Sequence, residues 1–266
     1  MKIYISADIE GVTGTTDWNE CELGHARYKV FQEQMTKEGA AACEAANQAG
    51  ATEILVKDAH WTATNIIQSG LPENTKLIRG WSHNPYMMMQ DIDGSFDAAL
   101  LIGYHSKAGS EGNPLAHTMT GKISRIWIND EPVSEMLINT YTAALEKVPV
   151  VFVSGDKQIC NDSITLNPDV ETVAVKDGKG GSTINIHPGL AIKEIEKGVQ
   201  KSLKKNLVNQ IVTLPEKFIL KIEYQDFKDA YRFAYYPGVE KISEKTIQFE
   251  TANYFEVLRA FMFLIN

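Results

Sequence analysis

The chain has 266 residues, 44% of them apolar and 23% charged, so it can bury a large core without disulfide bonds. Its net charge of −8, from 26 basic and 34 acidic residues, disfavours a nucleic-acid or anionic-membrane partner, because phosphate binding needs a basic face. No apolar run approaches the roughly 20 residues that cross a bilayer, so we expect no membrane and no nucleic-acid partner.

The first predicted element is a strand in the opening run Met1 to Gly11, M-K-I-Y-I-S-A-D-I-E-G, which is rich in β-branched and aromatic residues. Side chains alternate along a strand, so Asp8 and Glu10 would share one side if the chain stays extended. Gly11 then lets the backbone turn away. Two carboxylates on one side of a buried strand need a positive partner, and a divalent metal would satisfy that need.

The rest of the first half alternates between helix and strand. Apolar spacing predicts a helix over residues 25–49. Strands are predicted at 53–57, 75–79 and 96–102. A short helix predicted at 85–90 contains three consecutive methionines, which could line an adaptable pocket but are expected to fill gaps in the core. Strand, helix and strand in this order form the unit of a parallel sheet.

The second half continues the pattern and then changes character. Strands are predicted at 122–128, 150–153, 171–175, 217–224, 239–242 and 246–250, and helices at 132–147, 188–203, 225–235 and 253–265. We predict an α/β domain over residues 1–212, with a mostly parallel sheet flanked by helices. A smaller α+β portion over residues 213–266 follows, and the hairpin near 116–130 could pack with it. The aromatic residues after 213 are expected to form its core rather than a docking surface.

Three cysteines, Cys21, Cys43 and Cys160, lie far apart and form neither a C-x-x-C motif nor a disulfide framework. This usage fits a reducing compartment. The first residues carry one lysine and a short apolar run followed by acids, which does not match a signal peptide. We therefore expect a cytoplasmic protein.

Acids and imidazoles follow the predicted strands at the point where each strand ends. Asp8 and Glu10 follow the first strand, His60 the second and His105 the fourth. Because ligands bind outside the carboxyl ends of the strands in open α/β sheets, these side chains should converge in one cleft. Histidine and carboxylate together are typical ligands of Zn²⁺, and Glu135 would supply enough ligands for two ions.

Taken singly, each residue has a plainer interpretation. An acid after a strand commonly forms a turn or caps a helix, and a lone His60 or His105 could be a satisfied buried imidazole. Glu135 could simply be an acid in the first turn of a helix, where the helix dipole favours negative charge. Glu131 is an alternative ligand. Asp58 could orient the His60 imidazole or form a turn. The coincidence at the strand ends favours the metal site.

The remaining motifs narrow the chemistry. His25, His83 and His187 lie in predicted loops or near helix starts and are expected to be surface or capping residues. The chain has no H-E-x-x-H motif of single-zinc proteases and no G-x-S-x-G nucleophile elbow. The D-G-K-G-G-S run at 177–182 lacks the spacing of a phosphate-binding loop and is predicted to be a turn.

Six short motifs in the first 160 residues resemble the D-aminopeptidase family, peptidase family M55. They are S-A-D-I-E-G (6–11), K-D-A-H (57–60), I-G-Y-H (102–105), A-H-T (116–118), V-S-E (133–135) and S-G-D (154–156). The six blocks stand in the order that the family shows, and the first alone would only be suggestive. The last 50 or so residues add little to the resemblance.

The resemblance implies a zinc-dependent aminopeptidase that hydrolyses short peptides or amino-acid amides, with N-terminal D-residues among the expected substrates. It also implies about two Zn²⁺ per chain and a ring-shaped homo-oligomer. Carried over by position, Asp8 bridges both ions, Glu10 and His60 complete one site, His105 and Glu135 complete the other, and His117 is the catalytic histidine.

Two other functions stay open at this point. A non-catalytic metal- or peptide-binding protein of the dipeptide-uptake type would keep the cleft without turnover. A metal-dependent hydrolase could also act on another amide or on a phosphoester, although the acidic chain and the missing phosphate loop disfavour the phosphoester.

Overall fold

The protein was analysed as a computed structural model that describes residues 1–265. Its strands are β1 (Lys2–Ala7), β2 (Glu53–Asp58), β3 (Thr75–Ile78), β4 (Ala98–Tyr104), β5 (Ile123–Ile128), β6 (Glu131–Pro132), β7 (Val150–Asp156), β8 (Glu171–Lys179), β9 (Ser182–Asn185), β10 (Phe218–Tyr224), β11 (Val239–Lys241) and β12 (Thr246–Thr251). Its α-helices are α1 (Tyr28–Gln48), α2 (Glu135–Leu145), α3 (Lys157–Leu166), α4 (Pro188–Ser202), α5 (Phe227–Phe233) and α6 (Tyr254–Leu264).

The larger sheet has the strand order β3-β2-β1-β4-β7-β8-β9, and every pair except β8 with β9 is parallel. Helices cover both faces. Ile3 and Ile5 of β1 point toward the layer of α1 and α4, whereas Tyr4 points toward the layer of α2 and α3. Strands buried on both faces are apolar throughout, as β4 shows with all seven residues buried. The predicted mostly parallel sheet flanked by helices is confirmed.

The second sheet is antiparallel, in the order β11-β12-β10-β5-β6. Two of its strands, β5 and β6, come from before residue 213, so this sheet joins the hairpin region to the C-terminal portion. The helices α5 and α6 pack on it around buried aromatic residues such as Phe218, Tyr254 and Phe261. Other aromatic side chains of this portion, Phe227 and Tyr231 among them, are exposed. The boundary near residue 213 stays a prediction.

The elements differ from the predictions in three places. The helix expected over 132–147 begins only at Glu135, because Pro132 pairs with Trp127 in β6. The helix α3 was not predicted, and the Asp156 side chain caps its first turn by accepting from the Ile159 N–H. The expected turn over 177–182 lies mostly within the hairpin of β8 and β9, and only its middle residues turn.

Two glycines let the loops after β1 and β4 touch. The Gly11 N–H donates to the Gly103 carbonyl at 2.8 Å, and a Cβ on Gly11 would stand 1.8 Å from the Tyr104 carbonyl oxygen. Gly103 has a φ of +71°, and its own Cβ would stand 2.3 Å from the Asp8 carbonyl oxygen. Only glycine fits at both positions. The close approach brings the acids after β1 against the histidine after β4.

None of the helices within residues 1–265 combines the length and the apolar character that a bilayer crossing requires.

A buried acid in α1 makes the stability of the fold depend on pH. Glu38 is fully buried, its Oε1 accepts from the Thr13 N–H at 3.2 Å and from Gln34 Nε2 at 3.1 Å, and burial raises its pKa from 4.5 to about 7. Between these values the folded protein keeps a proton that the unfolded chain has released. The stability contributed by this proton is therefore present at low pH and is lost as pH rises to about 7.

We predict that Glu38→Gln becomes more stable relative to the wild type as pH rises from 5 to 8. A pKa difference of about 2.5 corresponds to about 3 kcal/mol of unfolding free energy at most. Urea denaturation of both proteins at the two pH values measures the difference, with Glu44→Gln, an exposed position on the same helix, as the control. An equal pH dependence in Glu38→Gln and the wild type would contradict the assignment.

Candidate metal centre

Acids and imidazoles from three strand ends and one helix start meet at the carboxyl edge of the larger sheet. Asp8 and Glu10 lie in the loop after β1, and the Asp8 N–H donates to the Ile102 carbonyl of β4 at 2.8 Å. The strand ends at Ala7, so strand alternation is not what aligns the two acids. A bend at Ile9 turns the chain, and both carboxylates still face the same centre.

Asp8 lies between the two imidazoles. Its Oδ1 is 3.3 Å from His60 Nδ1, and its Oδ2 is 3.5 Å from His105 Nε2. On the outer sides, Glu10 Oε2 is 3.0 Å from His60 Nδ1, and Glu135 Oε2 is 3.3 Å from His105 Nε2. The five residues thus form two half-sites that share one carboxylate. The structure brings together all five of the expected metal ligands.

The donor set fits zinc. All five side chains are buried, and three of them are carboxylates, which would be costly without a cation. Among the described residues, Glu10 Oε2 and His105 Nε2 are buried atoms that make no hydrogen bond. Ligand atoms of Asp8, Glu10 and His105 all lie within 4.8 Å of one another. Imidazole nitrogen and carboxylate oxygen at such spacing are the ligands that Zn²⁺ prefers.

The pKa values show how strongly this site favours positive charge. Burial alone would lower the pKa of His60, but Glu10 and Asp8 raise it well above its usual value. For His105, Glu135 and Asp8 likewise outweigh burial and raise the pKa to about 10. Burial and the Glu10 charge together raise the pKa of Asp8. Without a metal, protons on the two imidazoles take the place that cations would hold.

Backbone carbonyls set the orientation of both rings. His60 Nε2 is 2.9 Å from the Cys21 carbonyl, and His105 Nδ1 is 2.9 Å from the Ser106 carbonyl. Because a carbonyl oxygen only accepts, these nitrogens carry the hydrogen. His60 Nδ1 and His105 Nε2, which face the carboxylates, are left free to bind a metal in the neutral ring.

Asp58 acts on the His60 loop rather than on the imidazole. Its carboxylate accepts from the Asn65 N–H at 2.5 Å, from Asn65 Nδ2 at 2.9 Å and from the Ile66 N–H at 2.7 Å. Asn65 Nδ2 also donates to the His60 carbonyl at 2.7 Å. The expectation that Asp58 orients the ring is wrong, since the Cys21 carbonyl does so.

Asp156 holds the loop that carries His105 in the same way, by accepting hydrogen bonds from it. It accepts from the Ser106 N–H at 2.7 Å and from Ser106 Oγ at 2.6 Å. Asn113 Nδ2 donates to Asp156 at 3.2 Å and to the Glu10 carbonyl at 3.1 Å. These contacts explain how the S-G-D motif at the end of β7 supports a site that Asp156 itself does not reach.

Of the two alternatives for the fifth ligand, Glu131 and Glu135, the structure places Glu135 at the centre. It is the first residue of α2, after the Ser134 cap, and its Oε1 accepts from the Met119 N–H at 2.6 Å. Glu131 is exposed in β6. The geometry therefore supports Glu135 as the fifth ligand.

His117 stacks on His105, with ring centroids 4.4 Å apart and an angle of 13° between the ring planes. Its Nδ1 is 2.9 Å from the Leu115 carbonyl, and its Nε2 is 3.6 Å from Glu135 Oε1. Burial and the His105 charge lower its pKa. His117 is thus a neutral imidazole beside the centre, with Nε2 as its free acceptor.

A cavity of about 470 Å³ opens onto this centre. Besides the acids and His117, it is lined by residues that the sequence analysis did not single out for function, notably Trp18, Trp61, Trp81, Met119 and His83. His83, expected to be a surface or capping residue, is exposed and also lines the cavity. His187 does cap α4, where its Nδ1 accepts from the Gly189 N–H at 3.1 Å.

Lys176 is a further residue near the centre that was not expected from the sequence. It lies on β8, is buried, and its Nζ donates to the Glu10 carbonyl and, at 2.6 Å, to the Thr15 carbonyl. Burial lowers its pKa to about 8. The ammonium group thus connects β8 to both ends of the loop that carries Glu10, although β8 follows this loop by more than 150 residues in the sequence.

We predict that Lys176→Met lowers the metal content of the purified protein. Without the ammonium group the Thr15 carbonyl loses its side-chain donor and the Glu10 carbonyl keeps only Asn113 Nδ2, so the loop that carries Glu10 is held less firmly. The measurement is metal per folded chain by elemental analysis, at limiting zinc. Lys57→Met is the matched control, because Lys57 is also buried but donates to the Gly80 carbonyl. A folded Lys176→Met protein with full metal content would contradict the prediction.

Comparisons with known proteins identify the family of this chain. The D-aminopeptidase model of peptidase family M55 matches residues 1–263. A D-aminopeptidase of Bacillus subtilis (strain 168) is 31% identical over 264 residues, which cover 98% of this chain and 96% of the relative. A solved structure, the Zn-dependent D-aminopeptidase DppA from Bacillus subtilis, described as a self-compartmentalizing protease, superimposes with a TM-score of 0.92. It is 29% identical, covering 99% of this chain and 96% of that one.

The family match extends through the C-terminal portion, where the sequence motifs added little. It confirms both the resemblance and the expected enzyme class, a metallo-aminopeptidase. The chain belongs to the D-aminopeptidase family, peptidase M55.

Proposed function

We propose that this protein is a two-zinc aminopeptidase that removes the N-terminal residue from short peptides or amino-acid amides, including those with D-residues. The observation that carries the proposal is Asp8, which presents one oxygen to each imidazole. From that position Asp8 would help to hold two ions, one together with Glu10 and His60 and the other together with Glu135 and His105. The zinc-dependent relative supports the choice of metal.

Zinc bound at these residues supplies Lewis-acid polarisation of the scissile carbonyl and lowers the pKa of water toward 7. The protein supplies the rest. Three buried carboxylates and two oriented imidazoles hold the centre, and the Cys21 and Ser106 carbonyls keep both rings in the tautomer that leaves a nitrogen free. Burial keeps bulk water from competing with the substrate amide.

His117 is proposed as the group that moves a proton. Its Nδ1–H is given to the Leu115 carbonyl, so Nε2 is the basic nitrogen, and its lowered pKa keeps that nitrogen unprotonated near neutral pH. From this position Nε2 can accept a proton from the attacking water and return it to the leaving amine. The Trp18 ring, 5.3 Å away, packs edge-on against the imidazole and limits its rotation.

The same proposal covers assembly and location. The relative of known structure is described as self-compartmentalizing, which supports a ring-shaped homo-oligomer for this chain as well. Cys21, Cys43 and Cys160 are buried and unpaired, a state that fits the expected cytoplasmic location.

The first test is metal content against activity. We expect about two zinc ions per chain, loss of D-alanine amide hydrolysis after chelation, and recovery on adding Zn²⁺. Asp8→Ala should lose most of the bound zinc because both half-sites share this carboxylate, whereas the exposed Asp169→Ala should lose none. L-alanine amide, assayed in parallel, reports the stereochemical preference. Hydrolysis at equal rates before and after zinc removal would refute the proposal.

The second test concerns His117. We expect His117→Ala to lower kcat by a factor of about 10² to 10⁴ and to leave the zinc content unchanged. His187→Ala, an exposed capping histidine outside the cavity, is the control and should keep the wild-type rate. Loss of zinc together with activity would instead make His117 a metal ligand, since His105, His117 and Glu135 also lie within ligand distance of one another. A wild type that binds zinc and turns over no amide would be a binding protein.

A further inference from the structure

The cavity has one side that neither metal binding nor proton transfer explains. Trp61, Trp81, Met87 and Met119 form this side, which we call the apolar wall. The wall and the proposed ligands line one continuous cavity, so a substrate whose amide reaches the metal centre also faces the wall.

Three of the four wall residues are held in an unfavourable backbone conformation. Trp61, Met87 and Met119 have φ values of +42°, +47° and +63°, the region that favours glycine. Such a conformation is unfavourable, and it persists only where the surrounding structure enforces it. Strained residues of this kind cluster at ligand clamps and active sites. The position of the wall is therefore fixed against a local preference.

Specific contacts hold the wall in place. Trp81 Nε1–H donates to the Trp61 carbonyl at 2.6 Å. Lys57 Nζ lies 4.1 Å from the Trp81 ring centroid, and it donates to the Gly80 carbonyl at 2.6 Å. The Trp81 ring is thus held at its Nε1 edge and on one face, which makes the wall a preformed surface.

The wall is also tied to the proposed ligands. Trp61 directly follows His60, and the Met119 N–H donates to Glu135 Oε1 at 2.6 Å. A side chain lying on the wall would therefore set the distance and angle between the scissile amide and the metal centre.

The charges that line the cavity away from the metal centre disfavour acidic side chains. The described residues that line the cavity include no lysine and no arginine, and Glu22 adds a carboxylate besides those of the proposed ligands Asp8, Glu10 and Glu135. An acidic side chain would find no cation away from the metal centre. An apolar side chain would find the faces of tryptophan and the thioethers of methionine, which bind apolar groups well.

We propose that the apolar wall is a specificity subsite for substrates with a bulky, uncharged apolar side chain, and that Trp61 is its main determinant. This inference rests on the proposed aminopeptidase function, which it deepens by naming the substrate class. The side chain on the wall belongs either to the N-terminal residue or to the residue after the scissile bond, and separate substrates distinguish the two.

The test compares kcat/KM of the zinc-loaded wild type for matched amides. D-leucine, D-alanine and D-glutamate amides vary the N-terminal residue, and D-alanyl-D-leucine and D-alanyl-D-alanine amides vary the next one. We expect leucine to exceed alanine by about tenfold or more in one of the two sets, with glutamate the poorest, because the extra apolar carbons gain contact with the wall. Leucine within threefold of alanine in both sets, or a preference for glutamate, would overturn the proposal.

Trp61→Ala should bring the leucine-to-alanine ratio close to one. The matched control is Phe227→Ala, an aromatic side chain of α5 that is 57% exposed, against 54% for Trp61, and that does not line the cavity. The control should keep the wild-type ratio. An unchanged ratio in Trp61→Ala would remove Trp61 from the specificity site.

A binding readout separates this inference from the proposed function. Three of the four tryptophans, Trp18, Trp61 and Trp81, line the cavity, so intrinsic fluorescence reports on it. D-leucinol and D-alaninol carry the same side chains but cannot be hydrolysed. We expect D-leucinol to change the fluorescence at about tenfold lower concentration than D-alaninol, and Trp61→Ala to abolish the difference. If no amide is cleaved yet this difference holds, the aminopeptidase proposal fails and the subsite stands. Equal concentrations for both ligands would refute the subsite.

Discussion

Buried negative charge is the constraint on which the rest of the structure depends. Asp8, Glu10 and Glu135 place three carboxylates in the interior, and His60 and His105 carry raised pKa values because of them. Such a cluster opposes folding unless cations compensate it. Two divalent ions would slightly more than balance three carboxylates, so the centre is matched to metal in charge as well as in ligand type. The surrounding hydrogen bonds then serve to keep the oxygen and nitrogen atoms at the distances that this balance needs.

The helix α2 connects the two sheets to this centre. Met136 and Ala143 pack into the core under the larger sheet, whereas Ile138 packs into the core of the antiparallel sheet. Glu135 stands at the start of this helix. The separation between Glu135 and His105 therefore depends on how the antiparallel sheet packs against the larger sheet. The described strands of the antiparallel sheet supply none of the proposed ligands, and they contribute to the site through this packing.

The sequence was informative where chemistry and periodicity coincide. Acids and histidines directly after apolar runs predicted the strand-end site, since parallel strands bring their carboxyl ends together whatever their separation in the chain. The sequences of α3 and of the short strand β9 contain no such signal. These elements form because of tertiary packing and, for α3, the Asp156 cap, rather than because of local propensity.

The parts of the site that were missed are those that depend on distance in the fold. Lys176 lies in a strand of ordinary appearance, and only the fold shows that it reaches the Glu10 loop. The same holds for Trp61 and Met119, whose positive φ values cannot be foreseen from residue types that normally avoid them. The role of Asp58 also depends on the fold. Its spacing from His60 would suit a carboxylate that orients the ring, but the chain turns so that the backbone N–H and the side-chain amide of Asn65 donate to Asp58 instead.

The internal ammonium group on β8 bears on how small such an enzyme can be made. All five proposed ligands and His117 lie within the first 135 residues, which suggests that truncation could yield a compact catalyst. Yet the loop bearing Glu10 is closed by a cation from the sixth strand of the larger sheet, counted from β3, and that strand is held in register by β7. A shortened version would therefore need another buried cation in place of Lys176. The smallest workable length of the chain is then set by electrostatics rather than by the positions of the ligands.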